Sequence, residues 1–310
     1  MNMKIIILTL VIILTSQFCF GQQEKENEIK RGRVKTLQID VYDAKMDSGK
    51  VVIGKHGTTI YDKIINKYGK KNRLVEKLIF ENDGLTVGSK QVYPLPSKTK
   101  HNDSTIAYET LNPNSNYVVS KYNNKKRIVE SYYIFNKQQK SKSLYKYNDK
   151  GLMICQDFFF WGKLDTRTTF SYDDKGLKSE MKTYYIRQNM DSTTYNYQYD
   201  ENGNCIDEKQ LGPKGRLYFH SVKEYNKNRQ IISWTQLNSK GKVNSKTQYV
   251  FNKFGDKIEQ IEYDENGKIT RHHKMEYVYD RRNNWIMKTS YFNDKPYEIV
   301  LRKIKYRGIL

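Results

Sequence analysis

Cysteine, proline and long apolar runs are all scarce in this 310-residue chain. Of its 3 cysteines, Cys19 lies in the first 21 residues. Only Cys155 and Cys205 then remain, which excludes a disulfide scaffold. The one strongly apolar stretch, Ile5 to Leu14, is too short to span a bilayer, which takes about 20 apolar residues. No later segment is apolar enough to cross. A hydrophobic content of 37% is low enough to raise the question of disorder, but disordered chains are poor in aromatics. This one has 26 Tyr, 12 Phe and 3 Trp, with only 5 Pro. Motifs are missing too: there is no phosphate-cradling Gly-rich loop and no Gly-x-Ser-x-Gly elbow.

The N-terminus reads as a targeting segment. Lys4 supplies the positive charge, the apolar run follows, and Cys19 and Gly21 suit cleavage after Gly21. The expectation is plain export to the periplasm, the outer surface or the medium, with a lipoprotein on Cys19 as the alternative. Cleavage would remove Lys4 and leave 54 basic side chains against 34 acidic ones, a net +20. Two readings of that charge stand open. Lysines can coat solvent faces and sheet edges, where they block edge-to-edge pairing, or they can attract a polyanion such as an acidic glycan.

What is abundant is repetition. Tyr122, Tyr147, Tyr172, Tyr199, Tyr225, Phe251 and Tyr279 recur at spacings of 25, 25, 27, 26, 26 and 28 residues. Phe135, Phe160, Tyr185, Leu211, Leu237, Tyr263 and Tyr291 form a second series halfway between. Each ends a segment of strand-forming residues and precedes a polar turn, a signature of repeat architecture. Thr194 to Tyr199 alternates polar and aromatic residues, and period two puts the rings on one face of a strand. The other face carries Lys, Gln, Asn and Glu. That is the pattern of antiparallel strands with one packed face.

Turn chemistry agrees. Asp200-Glu201-Asn202-Gly203 and Asp264-Glu265-Asn266-Gly267 place an Asp to accept a backbone hydrogen bond and a Gly to take positive φ. Asn226 to Arg229 and Asp280 to Asn284 lack the Gly, and Asn is expected to substitute. Toward the N-terminus the ladder is less regular. It includes Tyr42, a turn near Gly54, Tyr68, Phe80, Tyr93-Pro94-Leu95-Pro96, and Tyr108 before Asn112-Pro113-Asn114. A short helical face through Ile60, Ile64, Ile65 and Tyr68 is a rival there. The layout predicts a signal peptide over 1–21, a lead segment over 22–40, irregular repeats over 41–121 and regular repeats over 122–310. The fold class is all-β: a long antiparallel meander of about 21 strands. Open sheets seldom exceed about ten strands without curling, so this one should coil into an elongated single-layer sheet or partial shell. Cys155 and Cys205 fall four strands, roughly 19 Å, apart. A disulfide needs Cα atoms within about 7 Å, so both are expected as free thiols.

Phe170-Ser171-Tyr172-Asp173-Asp174-Lys175-Gly176-Leu177 and Tyr197 to Asn204 resemble YD repeats of the RHS type. The wider layout, from roughly Tyr42 to Tyr306, is similar to exported YD-repeat proteins of Bacteroidetes-like bacteria. In large RHS proteins the resemblance implies a β-shell around a toxin domain.

Chemistry is thinly represented. Adjacent His272 and His273 should point to opposite faces of a strand and cannot easily share a metal. The Asp-x-Asn-Gly turns have Gly at position four, not the sixth place of an EF-hand loop. No catalytic residue, cofactor or metal is expected. The candidate surface is aromatic: Trp161, Phe158, Phe160, Trp234 and Trp285, with Trp161 foremost because it sits in the turn Trp161-Gly162-Lys163. The leading expectation is a non-enzymatic exported scaffold binding a glycan, polyanion or envelope protein. The alternatives are a glycan-active enzyme with acids on a concave face, and a shell or partner component of a secreted toxin system.

Overall fold

The computed structural model describes residues 33–56, 63–69, 74–80, 87–92, 104–108, 117–125, 127–135 and 138–307. The signal segment, the Pro94 and Pro113 turns and residues 60–62 of the rival helix lie outside them. Twenty-one antiparallel strands make up one sheet among the described residues. They run from β1 (Val34–Asp47), β2 (Lys50–His56), β3 (Lys63–Tyr68), β4 (Leu74–Phe80) and β5 (Val87–Val92) to β6 (Ser104–Tyr108) and β7 (Tyr117–Tyr122). The regular part continues with β8 (Ile128–Phe135), β9 (Gln138–Tyr147), β10 (Met153–Phe160), β11 (Lys163–Tyr172), β12 (Lys178–Tyr185), β13 (Met190–Tyr199) and β14 (Cys205–Leu211). It ends with β15 (Leu217–Tyr225), β16 (Ile231–Leu237), β17 (Val243–Phe251), β18 (Lys257–Tyr263), β19 (Ile269–Tyr279), β20 (Trp285–Phe292) and β21 (Lys295–Tyr306). Among the described residues there is no α-helix, only a 3-10 turn at Pro213–Gly215, and Ile64, Ile65 and Tyr68 belong to β3. The turn expected near Gly54 falls instead at Ser48 and Gly49, both at positive φ. Gly54 lies inside β2, where a Cβ would meet the Asp43 carbonyl oxygen at 2.9 Å.

From β6 to β21 each strand pairs with the next. The ladder then departs from chain order. One edge of β1 pairs with β21, from Val34 opposite Tyr306 to Asp43 opposite Glu298. Its other edge pairs with β3 through Thr36–Asp40 and with β2 through Tyr42–Asp47. The first strand is therefore an interior strand, and it runs across the expected boundary at residue 40. Cα atoms of β5 and β6 come within 8 Å of one another. The sheet curls back on itself without closing into a barrel.

Nearly every hairpin carries a register shift beside its turn. Tyr199 opposes Cys205 while Gln198 opposes Asp207, so Ile206 is skipped. Such bulges raise local twist. Across the ladder the cross-strand pairs keep one face in common, and it holds Tyr195, Tyr197, Phe170, Met181 and Phe158 with polar Gln156, Thr168, Ser221 and Lys223. Most of these are buried. The packed face is thus mixed aromatic and polar, and two polar pairs cross its strands: Thr168 and Thr183 hydroxyls lie 3.0 Å apart, and Lys223 Nζ reaches Glu208 Oε2 at 2.9 Å. Two apolar clusters anchor the sheet. Phe170, Met181, Tyr197 and Cys205 form one; Leu37, Ile39, Trp285 and Val300 form the other, at the β1–β21 seam.

The Tyr-and-turn motif has a definite physical role. In the turn after Tyr172, Asp173 Oδ1 accepts the Leu177 backbone N–H (2.7 Å), and Gly176 at positive φ donates to the Asp173 carbonyl (2.9 Å). Asp200 Oδ1 repeats this with the N–H of Asn204. The tyrosine hydroxyl then reaches across to a backbone carbonyl at the start of the preceding strand: Tyr147 to Ile128, Tyr172 to Met153, Tyr199 to Lys178 and Tyr225 to Cys205, at 2.6–2.8 Å. Each stitch spans 19–21 residues and recurs once per repeat. Where Gly is missing, Asn283 takes positive φ as expected, but in the other turn Arg229 does (φ 61) and not an Asn. Its guanidinium repays the strain through a 2.9 Å bond from Nε to Asn204 Oδ1. Tyr172→Phe should lower stability by about 1 kcal/mol, the usual worth of one hydrogen bond. Urea denaturation measures it, and an unchanged midpoint would remove the stitch as a stabilising element. Cys155 and Cys205 are free thiols on β10 and β14, four strands apart as the spacing predicts.

Candidate functional site

Turns of the first series lie along one edge of the sheet and those of the second series along the other. The two edges differ in what they expose. Among the described residues the five exposed aromatic rings, Trp161, Tyr184, Tyr218, Phe292 and Tyr297, lie on the second-series edge. The first-series edge instead exposes turn carboxylates, with a shallow groove between two turns lined by Asp149, Asp173, Asp174, Lys150 and Lys175.

Trp161 and Gly162 are the two loop residues joining β10 to β11. Both have positive φ, 51° and 75°, as the two-residue turn compatible with strand twist requires. Gly takes that conformation freely; a bulky residue there is an outlier. Trp161 is nevertheless held there and is 56% exposed. Its N–H donates to the Lys140 carbonyl (3.1 Å), and Lys140 Nζ sits 3.9 Å over the ring centroid. The Phe160 ring stands edge-on at 6.0 Å. Arg187 lies over Phe160 at 5.3 Å and pairs with Asp165 at 3.0 Å.

The same unit, a ring with a cation against it, recurs at the next turns: Lys182 over Tyr184 at 5.2 Å, and Arg216 over Tyr218 at 5.8 Å. Further along, the His273 ring lies 5.0 Å from Phe292 and 6.3 Å from Tyr297. Burial holds the His273 pKa below its ordinary value. A cation over an aromatic face is worth about 0.5–1 kcal/mol when exposed.

Of the five aromatics singled out from sequence, the structure brings Phe160 and Trp161 together. Phe158, on the same strand, is buried on the packed face. Trp234 is half-buried on that face of β16, opposite Lys223 and Thr247. Trp285 is 4% exposed in the seam cluster. Tyr184, Tyr218, Phe292 and Tyr297 went unrecognised in the sequence. Tyr218 and Tyr297 are residues skipped by the ladder at bulges, and Gly212 lets the Tyr218 ring lie close against the backbone, where a Cβ would sit 2.2 Å from it. The second-series turn should have placed them: an aromatic within a few residues of it falls at the edge. The second-series mark at Tyr291 belongs one residue later, since β20 ends at Phe292 and the turn is Asn293-Asp294.

The histidines part as alternation requires. His272 Nε2 lies 2.7 Å from Glu259 Oε1, while His273 faces the aromatics on the other side. His220 Nε2 pairs with Asp207 Oδ2 at 2.8 Å. Among the described residues no group of three or more His, Cys, Asp or Glu is placed to hold a metal ion, and no helix is long and apolar enough to cross a membrane. Burial and the Asp157 carboxylate push the Cys155 thiol upward, away from thiolate character.

No protein-family model matches the sequence, and no curated protein matches it. Among solved structures, the chain is similar to the Photorhabdus luminescens Tc holotoxin pore at 9% identity and a TM-score of 0.35, covering 80% of this chain and 16% of that one. It is similar to TcdB2–TccC3 without its hypervariable C-terminal region at 11% and 0.32, covering 83% and 15%. A porin-like protein of Bacteroides uniformis aligns at 10% and 0.33, covering 88% and 96%. The chain thus spans about a sixth of the toxin chains it aligns with, and likeness at this level assigns no function.

Proposed function

We propose that this chain is a non-enzymatic, exported binding scaffold whose working surface is the second-series turn edge, centred on Trp161. One observation carries the reading: among the described residues every exposed aromatic ring lies on that edge, and the largest is held in a backbone conformation that disfavours it. Strain of this kind persists where the surroundings over-determine it and clusters at ligand clamps. The residues of +20 charge left after export would assist an anionic or polar ligand.

The test is a glycan and polyanion array probed with the full chain and with Trp161→Gly at two salt concentrations. Glycine relieves the positive φ, about 1–2 kcal/mol, while the lost cation–ring contact takes back about 0.5–1 kcal/mol. The thermal midpoint should therefore hardly move, and binding should fall roughly tenfold or more. Retained binding by the variant, or no binding by the parent chain, would overturn the proposal.

A further inference from the structure

We infer that the ligand of this edge is a linear acidic polysaccharide laid across the three successive turns at Trp161, Tyr184 and Tyr218; this rests on the scaffold reading above. The argument begins with spacing. Turns on one edge recur every two strands, about 10 Å, which suits a polymer that presents an equivalent group at each disaccharide. Each of the three turns offers the same pair, a half-exposed ring and a cation: Trp161 with Lys140, Tyr184 with Lys182, Tyr218 with Arg216. An apolar sugar face stacks on a ring, and a uronate or sulfate on the same repeat meets the cation. The rings also have cations drawn against them, so a bound anion exchanges a cation–ring contact for an ion pair without moving the side chain far.

Charge complementarity selects between the edges. The first-series edge exposes Asp149, Asp173, Asp174 and Glu201 in its turns against Lys150 and Lys175, an acidic excess that disfavours a polyanion. On the second-series edge, Asp165 near Trp161 is already neutralised by Arg187. Charge density selects among polyanions. A nucleic-acid strand carries a phosphate at every nucleotide, about 3.4 Å apart along a B-form strand, far denser than one ring–cation unit per turn. A polysaccharide with one acid per repeat matches the sparser pattern.

The decisive measurement is the affinity of the full chain for hyaluronan oligosaccharides, which carry one uronate per disaccharide, of two lengths, one spanning a single turn and one spanning three. The methyl-esterified long oligomer and single-stranded oligo-dT serve as controls. The long acidic oligomer should bind at least roughly tenfold tighter than the short one, because the added contacts act at high effective concentration. Tyr184→Ala with Tyr218→Ala should reduce the long oligomer to the affinity of the short one. Lys182→Gln with Arg216→Gln keeps the rings and should lower both the affinity and its salt dependence. Equal binding of the esterified oligomer, with Trp161 still required, would overturn the acidic class while leaving the scaffold reading intact. Tighter binding of oligo-dT would overturn the polysaccharide. Binding of none of these probes to the parent chain would remove both proposals.

Discussion

Trp285→Ala should lower the stability of the folded chain by about 3–5 kcal/mol, the range for deleting a buried tryptophan. Its indole is 4% exposed and belongs to the cluster with Leu37, Ile39 and Val300. The ring does more than fill space. Arg302 lies over it at 4.0 Å, and Tyr277 meets it at 5.9 Å. Burial draws the Arg302 pKa down to about 10, the mark of a cation taken far from water. Removing the indole takes away the aromatic face on which that cation rests and opens a cavity beside β21. The seam then weakens where β1 and β21 hold the two ends of the chain together. A loss of this size is a large part of the 5–15 kcal/mol that ordinarily separates folded from unfolded domains. Urea denaturation followed by circular dichroism reads it directly. Trp285→Phe, which keeps a ring under Arg302, should lose less than half as much. A shift under about 1 kcal/mol for the alanine variant would mean that the seam is not a principal source of stability.

Alkaline pH should unfold the protein between about pH 10 and 12. Eight tyrosines titrate above their ordinary value of 10.0: Tyr42, Tyr147, Tyr172, Tyr195, Tyr249, Tyr279, Tyr291 and Tyr306. Burial is the leading cause in each. Hydrogen bonding to a carboxylate adds to it for Tyr279 with Asp256, Tyr291 with Glu276 and Tyr306 with Asp280. Tyr291 and Tyr306 are pushed up to about 12. The neutral phenol is thus favoured in the fold. The unfolded chain releases these protons near pH 10 and the folded chain only at higher pH, near 12 for Tyr291 and Tyr306, so the unfolded state gains ground above pH 10. Below pH 10 the contribution is fully present. Lys121, Lys142 and Lys274, raised by their hydrogen-bonding partners Tyr132, Glu130 and Asp294, act with the same sign. Urea midpoints at constant ionic strength from pH 8 to 12 should fall steeply above 10. Tyr306→Phe should be less stable at neutral pH and should lose less on going to pH 12. A midpoint that holds steady to pH 12 would show that the buried phenols are not coupled to folding.

Much of this was legible in the residues because it is local. Asp173, Gly176 and Tyr172 lie within five residues of one another, and their turn can be read without knowing what surrounds it. The same holds for the alternation that puts Tyr195 and Tyr197 on one face, and for the count of strands separating Cys155 from Cys205. Arg229 shows where local reading stops. Nothing nearby marks it for positive φ; its partner, Asn204, belongs to the preceding turn of the same edge.

The sequence by itself determined an antiparallel meander, its strand count, its two rows of turns and its aromatic face, since turn chemistry and period-two alternation act over a few residues. The tertiary structure alone decided that β1 lies between β21 and β3, that Trp285 is core, and that Tyr184 and Tyr218 share the edge with Trp161. Those outcomes depend on pairing between residues more than 250 positions apart and on the curl accumulated over many strands. Neither quantity is carried by any single repeat.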